Sequence, residues 1–177
     1  MREPRFKNRR GVVSGGGRRG GSSQAIVRLL AGEGAKVVLV DLDAAVVEFA
    51  RELRASKNVQ ESGGDVEATV GDLADPNVAR RAVMLCLERF GRIDFVVNTA
   101  GGSDPSVPTT CRASKSKHYR LLYDKNVESA RNLIAAAVPP MMDGGGCGDI
   151  INFSTTNGTP GWPWAGGSTW GQILNNE

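Results

Sequence analysis

With 177 residues, 40% of them hydrophobic and 23% charged, the chain has the size and composition of one soluble globular domain with its own core. A net charge of +3, concentrated in Arg2, Arg5, Lys7, Arg9 and Arg10, is too small to argue for a nucleic-acid partner. No apolar run approaches the ~20 residues that cross a bilayer, so a membrane is not expected as a partner either.

Residues 1–10 read as a basic, solvated tail, without the apolar stretch of a secretory leader. Val12-Val13 then enters a glycine-rich turn that runs from Gly15 to Gly21. A helix follows, capped by Ser22 or Ser23, with Ile26, Leu29 and Leu30 on one face and Gly34 at its end. The next apolar run, Lys36 to Val40, finishes on Asp41. Strand, glycine turn, helix, strand and acid in this order make a dinucleotide-binding βαβ unit. Gly15, Gly17 and Gly20 spell G-x-G-x-x-G, and Asp41 lies about twenty residues on, where a carboxylate can take the ribose hydroxyls.

Val46, Phe49, Ala50 and Leu53 recur at helical spacing and give a second amphipathic helix, followed by a turn at Ser62-Gly63-Gly64. Val66 to Val70 is a third strand. Asp75-Pro76 then provides an N-cap and a proline in the first turn of a helix that turns Ala79, Ala82, Val83, Cys86 and Phe90 inward. A fourth strand, Ile93 to Val97, ends at Asn98-Thr99-Ala100-Gly101, and Gly102 to Lys117 reads as a loop. The spacing next predicts a helix from Tyr119 to Val138 with Leu122, Val127, Ala130, Leu133, Ile134 and Val138 buried, stopped by Pro139-Pro140. A fifth strand spans Asp149 to Phe153. Strands alternating with helices mean an α/β fold, a doubly wound parallel sheet of Rossmann type with helices on both faces.

Three widely spaced cysteines (Cys86, Cys111, Cys147) fit neither a disulfide framework nor a zinc site, and suggest a reducing cytoplasm. The single histidine, His118, leaves little from which to build a metal site or a Ser-His-Asp triad.

From Gly11 to Gly158 the chain resembles the short-chain dehydrogenase/reductase family. Asn98-Thr99-Ala100-Gly101 is similar to the family's N-N-A-G, with Thr99 for the second Asn, and Gly71-Asp72-Leu73 to the acid after strand three that contacts adenine. Asn126 stands where the family keeps its catalytic asparagine. Asp149 to Thr155 resembles the strand with the catalytic serine, which falls on Thr155 beside Ser154. The resemblance implies hydride transfer between NAD, or NADP, and a secondary alcohol or ketone. The cofactor residues would be Ser14, Gly15, Gly17, Arg18, Gly20, Gly21, Asp41, Asp72, Leu73, Asn98, Ala100 and Gly101, with no metal.

Asp41 favours NAD because a carboxylate would repel a 2′-phosphate, whereas Arg18 and Arg19 could pair with one.

The chain also departs from the family. Ser168 and Gln172 stand where Y-x-x-x-K is expected, so the phenol and the cation that lowers its pKa are both missing. Read backward from Ala25, the last two loop glycines fall on Gly21 and Ser23, and Ser23 is expected to crowd the pyrophosphate or the helix–strand contact. Residues 11–158 form the expected dinucleotide-binding domain and 159–177 an irregular Trp- and Gly-rich tail, giving a C-terminally truncated fold. A catalytically impaired or truncated nucleotide-binding relative is the alternative, and an uncovered fifth strand is expected to favour self-association.

Overall fold

The computed structural model describes residues 3–107, 115–145 and 148–154. In chain order the elements are β1 (Arg10–Ser14), α1 (Ser22–Gly32), β2 (Lys36–Asp41), α2 (Ala45–Ala55), α3 (Lys57–Ser62), β3 (Asp65–Val70), α4 (Pro76–Phe90), β4 (Phe95–Asn98), α5 (Ser116–Tyr123), α6 (Ser129–Asp143) and β5 (Asp149–Asn152). A π-helical turn, Asp124–Glu128, joins α5 to α6. The strands form one parallel sheet in the order β3-β2-β1-β4-β5.

Two cores follow from the alternation of side chains along the strands. Val12, Val38, Val40 and Val96 pack with α4 and α6 through Val78, Ala82, Cys86 and Leu133. Val13, Val37, Leu39 and Val97 pack on the other face with α1 and α2 through Val27, Ala31, Val46 and Phe49. Each buried Val or Leu side chain contributes roughly 1.5–3 kcal/mol, so a sheet covered on both faces needs such near-continuous apolar strands. The expected α/β Rossmann-type architecture is what forms.

The start of α4 matches its sequence signals: Asp75 accepts from the Asn77 amide at 2.8 Å and Pro76 opens the helix. The buried sides of α2 and α4 also contain the residues their periodicity picks out. Other expectations need correction. The N-cap of α1 is Gly21, with no side-chain cap, and the buried face is Gln24, Val27 and Ala31, while Leu29 is exposed.

The helix from Tyr119 to Val138 is two helices with the π-helical turn between them. Val127, Ala130, Ile134 and Val138 are only half-buried, and Ser129, Asn132, Leu133, Ala137 and Met141 form the inner face of α6. Pro139 and Pro140 do not stop this helix, which continues to Asp143. Each proline removes one backbone donor. Met141, buried in the same core as Leu133, holds the last turn in place nonetheless.

One segment sits differently from expectation at the sheet's margin, where a solvated tail was expected. The residues before β1 lie against the end of α1: the Phe6 amide donates to Glu33 O at 2.9 Å, and Arg5 pairs with the Glu33 carboxylate at 3.1 Å. Arg9 makes an ion pair with Asp149 at the start of β5. All four residues of β5, at the end of the described sheet, are exposed, unlike those of the inner strands β1, β2 and β4. Thr155 and everything after it, including Ser168, Gln172 and the three tryptophans, lie outside the described residues.

Candidate cofactor site

In the sheet, β1 lies between β2 and β4, and the chain reverses its direction of winding there, so the C-terminal ends of β1 and β4 flank the crevice where such folds take ligands. Ser14 and Asn98 end those strands as register partners. Ser14, almost fully buried, accepts at its Oγ from the amides of Thr99 and Ala100, both at 3.0 Å. Its carbonyl receives the Thr99 hydroxyl proton. That leaves Thr99 Oγ1 as the acceptor for the Ser23 hydroxyl, 2.6 Å away on the first turn of α1. Ser23 therefore does occupy the helix–strand contact, as the sequence implied, and fills it with a hydrogen bond.

Backbone shape in the glycine turn needs the absence of a Cβ at particular points. Gly15 has φ +87°, and a Cβ there would meet Ser23 Oγ at 2.7 Å. Gly17 has Asp43 Cβ 2.5 Å from the same imagined atom. Gln24, a buried residue with no role in the sequence reading, staples the turn from below. Its Nε2 donates to Gly16 O at 2.8 Å, and its Oε1 accepts the Gly20 amide at 3.3 Å. A polar residue on the buried side of an amphipathic helix was the available signal.

Asp41, at the end of β2, accepts the Gly17 amide on Oδ2 at 2.9 Å and the Asp43 amide on Oδ1 at 2.8 Å. These two bonds fix both carboxylate oxygens beside the glycine turn. Each oxygen keeps a lone pair for a hydroxyl. Together with the uncapped N-terminus of α1, whose backbone N–H groups suit a pyrophosphate, these residues fit a dinucleotide. Arg18 and Arg19 are exposed at the same turn.

On the far side of β2, Gly71 donates to Asp41 O at 2.9 Å, which brings the loop after β3 to the same edge. Asp72 is exposed there, its Oδ1 occupied by the Ala74 amide at 2.9 Å. Leu73 is a core residue whose side chain packs with Val12 and Leu133, so only its backbone faces the loop.

The Asn98 amide serves the neighbouring strand rather than the turn after β4. Its Nδ2 donates to Asn152 Oδ1 at 2.8 Å, tying β4 to β5, and its Oδ1 is buried with no partner among the described residues. The turn is held by Ser14.

Asn126 sits in the π-helical turn and reaches back to the same segment. Its Oδ1 accepts the Gly102 amide at 2.6 Å, and its Nδ2 donates to Leu122 O at 2.8 Å. A Cβ on Gly101, whose φ is +147°, would lie 2.5 Å from that Oδ1. Lys125 adds a bond to Ser103 O at 3.1 Å and faces Asp104 at 3.5 Å. The Ser106 hydroxyl and amide, with Lys125 beside them, hold the Asp104 carboxyl below the usual carboxylate range. Ser154 is exposed just past β5, two residues beyond the partner of Asn98, while Thr155 lies outside the described residues. The structure thus gathers Ser14, Ala100, Gly101 and Asn126 at the end of β4, with Asp41 and Asp72 at the end of β2 and β3.

An open groove of about 540 Å³ borders the glycine turn between α1 and α2, lined by Arg19, Gln24, Arg28, Glu48, Phe49 and Glu52 among others. Gly17, Gly20 and Gly21 of the turn line it as well, whereas Asp72, Asn98 and Asn126 do not, so it meets the crevice at the strand ends only through the glycine turn.

A family model described as short chain dehydrogenase matches residues 12–167. An uncharacterised oxidoreductase of Mycobacterium tuberculosis is 30% identical over 154 residues, 87% of this chain and 55% of that protein. L-fucose dehydrogenase of Mus musculus is 34% identical over 158 residues, covering 89% and 52%. A solved short-chain type dehydrogenase/reductase from Mycobacterium ulcerans superposes with a TM-score of 0.82 at 26% identity, covering 96% of this chain and 58% of that one. The chain spans about half the length of the curated relatives it matches.

Proposed function

We propose a function from the premise that this chain belongs to the short chain dehydrogenase family. That family consists of oxidoreductases that use NAD(P), and no helix among the described residues is long and apolar enough to cross a membrane. Within it, the chain is the cofactor-binding part of an enzyme that passes a hydride between NAD and a secondary alcohol or ketone. Asp41 carries the reading: its carboxylate, fixed by the Gly17 and Asp43 amides, is placed to accept ribose hydroxyls and to repel a 2′-phosphate. The glycines of the turn and the N-terminus of α1 take the pyrophosphate, and Asp72 and the Leu73 backbone flank the adenine.

Asn126 supports the far end of the site, with Ser154 and Thr155 supplying hydroxyls to a substrate carbonyl. The cofactor, when bound, supplies or accepts the hydride. The positions of the family's Tyr and Lys hold Ser168 and Gln172, so this chain lacks a phenol to move the hydroxyl proton. Its own turnover is expected to be on the order of 10²–10⁴ below a complete site. Its cysteines suit a reducing compartment, the cytoplasm.

Fluorescence titration with NADH and NADPH tests the reading. NADH is expected to bind tighter, and Asp41→Ala to remove the preference. Tighter NADPH binding would reverse the NAD assignment, and binding of neither would remove the dinucleotide reading itself.

A further inference from the structure

Asn132 is the least expected residue on the inner face of α6. It lies beside Leu133, is 5% exposed, and is a poorer helix former than the alanines and leucines around it. Its Nδ2 donates to two consecutive carbonyls, Leu73 O at 3.0 Å and Ala74 O at 3.1 Å. Both belong to the loop between β3 and α4. Its Oδ1 accepts from Arg131 Nη2 at 2.9 Å, and Arg131 Nε in turn binds Glu128 at 2.8 Å. Glu128 closes the π-helical turn that contains Asn126. A buried amide that spends both hydrogens on adjacent carbonyls fixes the loop that carries them, because any other loop path leaves amide and carbonyls unpaired.

We propose that Asn132 is a positioning residue for nucleotide binding: it sets the 71–75 loop from inside the fold, and with it the adenine end of the site. This rests on the dinucleotide reading above. The loop is joined to Asp41 through the Gly71 amide, and it presents Asp72 on its outer side while Leu73 points into the core. Fixing Leu73 and Ala74 from below therefore fixes where Asp72 stands relative to Asp41. The Glu128–Arg131–Asn132 series also connects the loop to the turn that supports Asn126, so the two ends of the site share one support.

Two measurements test this on the full chain. Asn132→Leu is expected to raise the dissociation constant for NADH about tenfold while leaving that for reduced nicotinamide mononucleotide, which has no adenosine, unchanged. In the absence of ligand, amide exchange is expected to quicken across residues 72–75 and stay at the wild-type rate in β1. Arg131→Gln, on the surface and without risk to the core, should move both readings the same way by less. Equal losses for the two nucleotides, or wild-type exchange in the loop of Asn132→Leu, would overturn the proposal. A wild-type chain that binds no NADH would overturn the dinucleotide reading, and the exchange measurement would still decide whether Asn132 holds the loop.

Discussion

Ser23 and Thr99 meet hydroxyl to hydroxyl at 2.6 Å across the contact between the first turn of α1 and the end of β4. Each departs from the family pattern in sequence, Ser23 standing for a glycine and Thr99 for an asparagine, and in the fold the two departures are one interaction. With the Thr99 proton given to Ser14 O, the series Ser23–Thr99–Ser14 links helix, fourth strand and first strand. Ser23→Ala and Thr99→Ala should therefore be non-additive, with a coupling of about 1 kcal/mol in urea unfolding. Strict additivity would mean the hydroxyls touch without stabilising each other.

Gly15 and Gly20 both have φ in the left-handed region, +87° and +70°, but only Gly15 is crowded. A Cβ on Gly20 meets nothing within 4 Å, so Gly20→Ala carries backbone strain alone, about 1 kcal/mol. Gly15→Ala adds the collision with Ser23 Oγ and should cost clearly more, about 2–3 kcal/mol. Combining it with Ser23→Gly should recover the collision part and leave the strain. Thermal melts of the three variants check this, and equal losses for both single variants would contradict it.

How much could be read from the chain depends on where each residue finds its partner. The strands, α2 and α4 are legible because their buried residues are apolar and their caps are local: Asp75 serves Asn77, two residues away. The inner face of α6 is not, because Ser129 and Asn132 are polar and the partners of Asn132 lie in a loop some 58 residues earlier. Apolar spacing alone chose Val127, Ala130 and Ile134 instead. The partner of the Asn98 amide, Asn152 on β5, is hidden for the same reason, since that strand's position is not a local property. Pro139-Pro140 looked like a stop because the burial of Met141, which holds the helix past them, depends on the sheet beneath. Motif order singles out Ser14, Asp41 and Asn126, which the fold brings to the strand ends and the turn beside them, whereas Gln24 and Asn132 bond to backbone carbonyls and leave no spacing to find.

Cys86 is fully buried and its thiol donates to Arg92 O at 3.5 Å. Burial, with the Asp94 carboxylate nearby, pushes its pKa up to about 12 from an ordinary 9. At neutral pH the native thiol is protonated and should resist alkylation, with peptide mapping showing modification at Cys86 only on unfolding. Because the folded pKa is the higher one, this group's contribution to stability is complete below about pH 9 and is lost as pH rises toward 12. Alkaline titration of the melting temperature should show a fall in that window that Cys86→Ala reduces. Rapid labelling of Cys86 in the folded chain would contradict the burial.

β5 is the outermost strand of the described sheet, paired through Asn152 and Phe153 to β4. Ile150, Ile151 and Phe153 are 39%, 49% and 50% exposed, an apolar run on a strand whose outer backbone groups have no partner strand among the described residues. Edges of this kind pair with another chain unless a charge or a proline blunts them, and here the nearest charge, Asp149, is engaged by Arg9 at the strand's beginning. A second copy of the chain offers the same edge, so the purified protein is expected to self-associate, with an apparent mass that rises with concentration. Ile151→Lys places a cation in the middle of the run and should lower association while shifting the melting temperature little, since Ile151 contributes half-exposed surface rather than core. Light scattering distinguishes the outcomes. A stable monomer at high concentration in the unsubstituted chain would show that β5 is covered, and association unaffected by Ile151→Lys would place the contact elsewhere.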